Sequence, residues 1–597
     1  MTRAKRRESE DRMTRQGLSV FSEGNERLLQ LLMCSLGRIL AKERRSNDEV
    51  ETLSYREIRH IVDWLRAAVA RDASWLSNVD GNGRPKKLLK YPSVAAMTAE
   101  VDRDMLREAR LHGAPSDAVE GTENYMDLGD GWALIRLLTT RALDYESSIM
   151  RHCIGNGAYD DQLDTSGHLF LSLRDPARKP HVTIAVSEGK IEELSGKQND
   201  IPKPRYLKRL ASFFQSLGEL SYLDGSHGVI ADIHGRVYEY GDLPDVLEVA
   251  GDLRLLDDPD DQNFRLPRVI RAGGQVTIDS DFDGQLECVE AESLSMSGAK
   301  AAKDCEFKVR KSLNLRGSVI ERLQDNLTVA GNLDLAGTTI TKLPSGLRVG
   351  GTLDIGGTDI TVLPDDLVVS TLKISDTDIE SLGSLRQFDR LLAANSKLAS
   401  IPADLVIKRH IDISESAVTS IPHGFRTEGG LSATGCERMI TLPRRLEIGF
   451  ADFSRSSIFM PREFETATSV MFQESRMSLL GRRIVCGERL NLAATHFDVL
   501  PDVIRAREVN LDRRLATPIR AIDCDIDTDV LRVSADADVV IADHVVVRER
   551  IEIEEFRGDV WCFPVDAARR YLARRNAFKD IEAACLYFGG HLWSGIS

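Results

Sequence analysis

Aromatic residues are scarce in this chain, at 6% of 597 residues, so its core has to be built mostly from aliphatic side chains. No run of about 18 to 20 apolar residues occurs, and the sequence therefore predicts no membrane-spanning helix. The nine cysteines are scattered and include no C-x-x-C pair. This usage is typical of reduced thiols in a cytosol, and we expect no metal and no cofactor.

The chain also has fewer basic than acidic residues. It contains 78 Lys and Arg and 93 Asp and Glu, which gives a net charge of −15. A large nucleic-acid surface needs clustered cations to neutralise phosphates, so this balance disfavours nucleic acid as a partner. The first sixteen residues, MTRAKRRESEDRMTRQ, are basic but lack the apolar segment of a secretory signal. We therefore expect a cytoplasmic protein, with secretion by a non-Sec route as the alternative.

Hydrophobic periodicity divides the chain into segments of different type. Ile58, Ile61 and Leu65 form one apolar helical stripe, and the strand-like runs HLFLSLRD and HVTIAV flank a turn, which predicts an antiparallel meander. The predicted segments are a disordered basic arm over 1–20, a helical region over 21–124, a mixed α/β module over 125–220, a repeat solenoid over 240–560 and a helical cap over 561–597.

The most specific pattern is a repeat of 19 or 20 residues. An L-x-L motif or its equivalent recurs at Leu313, Leu333, Leu353, Leu372, Leu392, Ile411, Leu431, Ala451, Val470, Leu490 and Val509. Within one repeat, Leu353 and Ile355 are expected to point inward and Gly357 to turn the chain. A repeat this short cannot bury its apolar face alone, so stacked repeats must share a core. The sequence therefore predicts a parallel β solenoid of about 20-residue leucine-rich-like repeats, ended by a C-terminal capping helix over 564–588.

The repeat LPSGLRVGGTLDIGGTDITVLPDDLVV resembles the short leucine-rich repeats of bacterial secreted effectors, over roughly 240–555. That family usually places Asn at the turn after the strand. Here the position holds Gly317, Gly337, Gly357 or Asp376. A more regular parallel β-helix is therefore an alternative to leucine-rich coil geometry.

The central module carries a second resemblance, to the PcfJ-like domain of proteins from conjugative plasmids and prophages, over about 130–217. An HC[VI]G segment, an SLRD-type strand and a GK-x-N turn follow one another in that family. The matching residues here are His152, Cys153, Ile154, Gly155, Tyr159, Ser172, Arg174, Thr183, Gly196, Lys197, Gln198 and Asn199. The resemblance implies a bacterial mobile-element or phage-related setting and assigns no reaction to the module.

Cys153 beside His152 is the candidate for nucleophilic catalysis, since an imidazole can activate a thiolate. Adjacent helical side chains diverge, so the base would come from His168 or His181. The alternative is a buried structural thiol, which the predicted position of Cys153 at a helix C-terminus favours because the helix dipole there raises a thiol pKa. The same four residues could form a zinc site, but their spacing matches no usual zinc motif.

A polar turn and one arginine are the other candidate site residues. The backbone from Gly196 together with Lys197, Gln198 and Asn199 could bind an anion, and the alternative is a strand-ending turn that faces water. Arg174 is a further polar candidate on the predicted SLRD strand.

No catalytic constellation is compelling, so we expect the solenoid face to bind a protein partner. Two alternatives stay open. One is a Cys/His-dependent hydrolase or transferase that uses the solenoid for substrate choice, and the other is a translocated effector that binds a host protein.

Overall fold

A computed structural model provides the structure of the chain, which forms two compact units, Met1–Asp242 and Leu243–Ser597. The described residues are 14–22, 24–40, 55–112, 120–152, 154–155, 157, 159–163, 166–256, 265–279, 286–297, 301–479, 482–496, 500–512, 521–534, 540–554, 560–573 and 591–592. Most of the predicted basic arm over 1–20 lies outside them. No helix in these ranges is long and apolar enough to cross a membrane.

The first unit begins with a helical segment over 14–22, which is followed by the helices α1 (Glu26–Leu32), α2 (Tyr55–Ala70) and α3 (Val94–His112). Asn25 caps α1, because its side-chain oxygen accepts a hydrogen bond from the backbone N–H of Leu28 at 3.0 Å. A core of mostly leucine and valine side chains joins the three helices. The middle of α2 is buried, so its polar residues His60 and Asp63 are enclosed together with apolar neighbours.

An antiparallel sheet follows, and it confirms the predicted meander. Its five strands pair in chain order: β1 (Thr122–Asp127), β2 (Ala133–Leu137), β3 (His168–Arg174), β4 (Pro180–Ser187) and β5 (Lys190–Ser195). The remaining elements are α4 (Thr140–Met150) between β2 and β3, then α5 (Pro204–Arg209), α6 (Ala211–Leu217) and the hairpin β6 (Val229–Ala231) and β7 (Val237–Glu239).

The two faces of this sheet pack against different helices. Phe213 and Phe214 of α6 join a core with Leu171, Leu173 and other strand residues. A second core combines Ala67 of α2 with side chains of α4 and β3. Because of this second core, α2 lies against residues of the meander, within the same unit.

The second unit is a parallel β solenoid, as the sequence predicts. Four strands form one parallel sheet, namely Val246–Val249, Val269–Ala272, Leu286–Ala291 and Ala301–Val309. The long ladder runs through Leu253–Leu256, Gln275–Asp279, Ser293–Ser297, Leu313–Asn314, Leu333–Asp334, Arg348–Asp354, Val368–Lys373, Gln387–Leu392, Val406–Asp412, Arg426–Ser432, Arg445–Asp452, Ser469–Met471, Arg489–Asn491, Glu508–Asn510, Asp525–Ser534 and Val546–Glu554.

Other short strands complete the coils. They are Thr328–Val329, Glu463–Thr466, Arg483–Cys486 and Val503–Arg505 within the long ladder, and Ile440–Thr441, Ser457–Met460, Arg476–Leu479, Ala521–Ile522 and Val540–Ile541 in two smaller parallel sheets. Successive coils pair at the predicted interval, with Leu353 opposite Leu372. One predicted position is wrong by one residue. Leu391, and not Leu392, is the residue that pairs with Leu372 of the preceding coil and Ile411 of the next.

The backbone conformation of the turn after the strand explains why several coils of this chain have glycine where leucine-rich repeats usually have asparagine. Residues at this position have positive φ, which glycine adopts at little cost, and they are Gly317, Gly337, Gly357, Asp376, Asn395, Glu415, Gly435, Arg455, Glu474 and Ala494. The next residue in most of these coils is a buried Ser or Thr. Thr358, for example, donates its hydroxyl to the backbone oxygen of Ile355 at 2.7 Å. These hydroxyls satisfy buried carbonyls and form a polar column inside the solenoid.

The last coil is covered by further elements. Strand Val560–Phe563 pairs antiparallel with Val546–Glu554 and is followed by helix α7 (Val565–Ala573). Tyr571 stacks on Phe563 with ring centroids 5.5 Å apart, and Arg569 donates to the backbone oxygen of Val545 at 2.6 Å. The structure confirms the capping helix, whose predicted continuation over 574–588 lies outside the described residues.

Replacement of Ile355 by Asp tests the inward register of the coils. Ile355 is fully buried, so an aspartate would place an unpaired charge in the core and cost on the order of 3 kcal/mol or more. Hydrogen exchange of the amides in this coil and its neighbours measures the loss. Val362→Asp, at an exposed residue of the same coil, is the control. Equal protection in the two variants would contradict the register.

Candidate functional site

The first unit encloses a polar network between α4 and the adjacent strands. Glu146 is fully buried on α4, and Arg174 of β3 donates to its Oε2 at 3.3 Å. Thr183 of β4 donates its hydroxyl to the other carboxylate oxygen at 2.8 Å. Arg174 also donates through Nε to the hydroxyl of Ser172 at 3.2 Å. Burial raises the pKa of Glu146, and the Arg174 guanidinium opposes that shift.

His152 extends this network toward the middle of the unit. Its Nε2 lies 2.7 Å from the hydroxyl oxygen of Thr183. Because the single hydroxyl proton of Thr183 goes to Glu146, the Nε2 of His152 is the donor. Burial lowers the pKa of His152 to about 4, so the ring is neutral at pH 7. His152, Thr183, Glu146 and Arg174 thus form one hydrogen-bonded chain.

A small cavity lies beside His152, and we call it the inner cavity. Its volume is about 20 Å³, which is room for about one water molecule. Asp63 of α2 lines it together with Tyr159, Glu193 and Ser195. Tyr159 donates to Asp63 Oδ1 at 3.0 Å, and Ser195 donates to Glu193 Oε1 at 3.0 Å. Two carboxyl groups therefore face the same enclosed space.

The carboxyl group of Asp63 has a raised pKa. Burial, followed by the neighbouring charge of Glu193, raises its pKa from 3.8 to about 7. Arg59, Arg66 and the Tyr159 hydroxyl act in the opposite direction and offset part of the shift. Burial also raises the pKa of Tyr159 well above its ordinary value.

A larger space, the outer pocket, shares Asp63, Glu193 and Ser195 with the inner cavity. Its volume is about 240 Å³. His60 of α2 lines it, and the Asn199 side-chain amide lies 2.7 Å from His60 Nδ1. With that amide as donor, the opposite ring nitrogen of His60 donates to Asp102 Oδ1 at 2.9 Å. This arrangement fixes the orientation of the His60 ring at the wall of the pocket.

The structure does not gather the histidines that sequence analysis considered. His168 begins β3 and lies 3.3 Å from the hydroxyl of Ser187. His181 lies near the other end of β4, where it pairs with Asp175 at 2.9 Å. Among the described residues, no group of three or more His, Cys, Asp or Glu could hold a metal ion. Cys153 lies outside the described residues.

The polar turn and Arg174 have different surroundings. Lys197 and Gln198 are exposed in a single 3-10 turn, whereas Asn199 reaches His60 at the outer pocket. Gln198 and Asn199 both have positive φ. Arg174 is enclosed as the counter-ion of Glu146, so it is not available to a ligand from solvent.

The sequence patterns do not indicate Asp63, His60, Glu146 and Glu193 as site residues. They place helix α2 in a helical region apart from the meander, so they do not relate its polar residues to those of the strands. One signal was available, because Asp63 interrupts the buried face between Val62 and Leu65. A charged residue among buried neighbours needs a polar partner, and the partner here is Tyr159.

The outward face of the long ladder is a second candidate surface. His410, Gly430, Phe450 and Ser469 are paired in consecutive coils along this face. The side chain of Phe450 is 39% exposed, and its neighbours Gly430 and Ser469 are too small to cover the ring. Met471 lies one coil further along the ladder, opposite Asp452.

Arg174→Met tests the buried ion pair. Loss of one partner leaves the Glu146 charge uncompensated, and we expect a destabilisation of roughly 3 to 5 kcal/mol. The double variant Arg174→Met with Glu146→Gln should recover part of the loss, because it removes the unpaired charge. Urea unfolding, followed by tryptophan fluorescence, measures the free energy of unfolding of the single and the double variant. Arg178→Met, at an exposed residue, is the control. No difference between Arg174→Met and Arg178→Met would contradict this role.

Asp63→Asn tests the raised pKa of Asp63. A carboxyl with a pKa of about 7 in the folded state and an ordinary pKa when unfolded keeps its proton only in the folded protein between these values. Stability therefore falls as pH rises from about 4 to about 7 and then levels off. Asparagine at position 63 cannot ionise, so the variant does not lose stability in this way as the pH rises.

The melting temperature of Asp63→Asn minus that of the unmodified protein should accordingly increase from pH 4 to pH 7 and stay constant above it. Glu188→Gln, at an exposed hairpin residue, is the control and should show no such trend. A difference for Asp63→Asn that is independent of pH would contradict the raised pKa.

Comparisons with protein-family models, with curated proteins and with solved structures find no match for this chain.

Proposed function

We propose that the protein binds a protein partner through the outward face of the solenoid, with Phe450 at the contact centre. The observation that carries this proposal is the exposed Phe450 ring between Gly430 and Ser469. Aromatic residues dominate the energetics of many protein interfaces when a partner pocket encloses them. Stacked coils also provide an extended surface, which is how other repeat proteins bind their partners.

The surroundings of Phe450 favour a protein over a nucleic acid. Asp412 and Asp452 occupy the same outward face two coils apart, and His410 and Arg489 lie on the column that contains Phe450. An apolar ring within mixed charges is typical of a protein interface, where an apolar centre has a polar rim. A phosphate backbone would meet carboxylates here as well as cations.

The mobile-element setting belongs to this proposal too. Its support is the residue pattern of the central module, in which the His152 segment precedes the SLRD strand and the Lys197 turn. In this proposal the protein is a bacterial phage-related or plasmid-related factor whose solenoid selects its partner.

Phe450→Glu tests the proposed interface. The intact tagged protein is purified from its native cells, and the proteins captured with it are quantified. The control variant is Val362→Glu, which places the same charge at a residue that is 74% exposed and lies in a different coil. At least one protein should be captured by the unmodified chain and by Val362→Glu, and its recovery should fall about tenfold or more with Phe450→Glu. Equal recovery with both variants, or no captured protein, would contradict the proposal.

A further inference from the structure

Buried carboxylates in the first unit have cationic partners within the chain. Glu146 pairs with Arg174 at 3.3 Å. Asp104 of α3 pairs with Lys87 at 3.1 Å and with Arg71 at 3.5 Å. This pattern follows from the large free-energy cost of an unpaired charge away from water.

Asp63 departs from this pattern. Its side chain is only 3% exposed, and its hydrogen-bond partner is the neutral hydroxyl of Tyr159 at Oδ1. Among the described residues, Oδ2 has no hydrogen-bond partner and Asp63 has no ion pair within 4 Å, although the charges of Arg59 and Arg66 act on its carboxyl. Glu193, which lines the same two spaces, accepts a hydrogen bond from Ser195 and likewise forms no ion pair within 4 Å with a described residue.

The outer pocket gives solvent access to these two acids. Glu192, Asp200 and the cationic Arg59 are also among its lining residues, so the pocket has more acidic than basic residues in its wall. Its volume of about 240 Å³ is close to the lower limit for small-molecule sites in proteins. The aromatic ring of Tyr222 and the side chain of Ile201 supply an apolar wall for an alkyl chain.

We propose that the outer pocket is a binding site for a small organic cation, which presents a guanidinium or primary ammonium group to Asp63 and Glu193. The cation supplies the counter-charge that the chain supplies to Glu146 and Asp104 internally. The alkyl part of the ligand lies against Tyr222 and Ile201. This site is separate from the solenoid surface, so its test does not depend on the proposed partner.

Binding at this site is coupled to a proton. Below pH 7 the protonated Asp63 releases one proton to solvent when the cation binds, so a neutral acid becomes a carboxylate paired with the ligand charge. The groups that act most on Asp63 are Glu193, which raises its pKa, and Arg59, Arg66 and the Tyr159 hydroxyl, which lower it; His60 and His227 also line the outer pocket. His152, at the far side of the inner cavity, is neutral in this pH range. Affinity should therefore increase from pH 5.5 to pH 7.5.

Calorimetric titration of the intact protein tests the proposal with three probes of similar size. Butylguanidine and butylamine are cations, whereas butylurea is a neutral analogue of the guanidine with the same shape. We expect the two cations to bind and butylurea not to bind. At pH 6, titrations in two buffers of different ionisation enthalpy should report the release of protons.

Variants then assign the site. Asp63→Asn should weaken cation binding about tenfold or more, because it removes the charged acceptor of the ligand. Glu193→Gln provides an independent second variant, and Glu188→Gln, on an exposed hairpin away from the pocket, should bind as the unmodified protein does. Binding of butylurea equal to that of butylguanidine, unchanged affinity in both Asp63→Asn and Glu193→Gln, or no binding of either cation would overturn the proposal.

Discussion

The need of every buried polar group for a partner is the constraint on which both units depend. In the solenoid, the backbone groups of one coil bond to those of the next, and buried hydroxyls at the turns satisfy backbone carbonyls inside the coils. Glycine is required where the coils come closest. A Cβ on Gly429 would lie 1.2 Å from the carbonyl oxygen of Arg409 in the preceding coil.

The same constraint organises the first unit around charge. Arg174 neutralises Glu146, and the hydrogen-bonded chain through Thr183 holds His152 in one orientation as a neutral ring. Asp63 receives only a neutral donor, and it is this acid that faces the outer pocket. The binding site that we propose is therefore placed at the buried acid for which the described residues provide no ion pair within 4 Å.

Sequence patterns predicted much of this architecture, because they report local and periodic constraints. The 19- to 20-residue interval revealed the solenoid, and only the step at Leu392 was misplaced, since Leu391 and Leu392 are both apolar and fit the spacing equally well. The candidate site was less accessible. Asp63 on α2 and Glu193 on β5 are 130 residues apart in the sequence, and only the packing of the helix on the sheet brings them to one cavity.

The titration of Asp63 itself tests this account most directly. In protein labelled with ¹³C at the aspartate carboxyl carbon, the carbon signals can be followed from pH 3 to pH 9 and compared with those of the Asp63→Asn variant. We expect one signal that titrates near pH 7 and is missing from the variant. If the signal that the variant lacks titrates near pH 4, Asp63 is an ordinary ionised carboxylate, and burial does not raise its pKa.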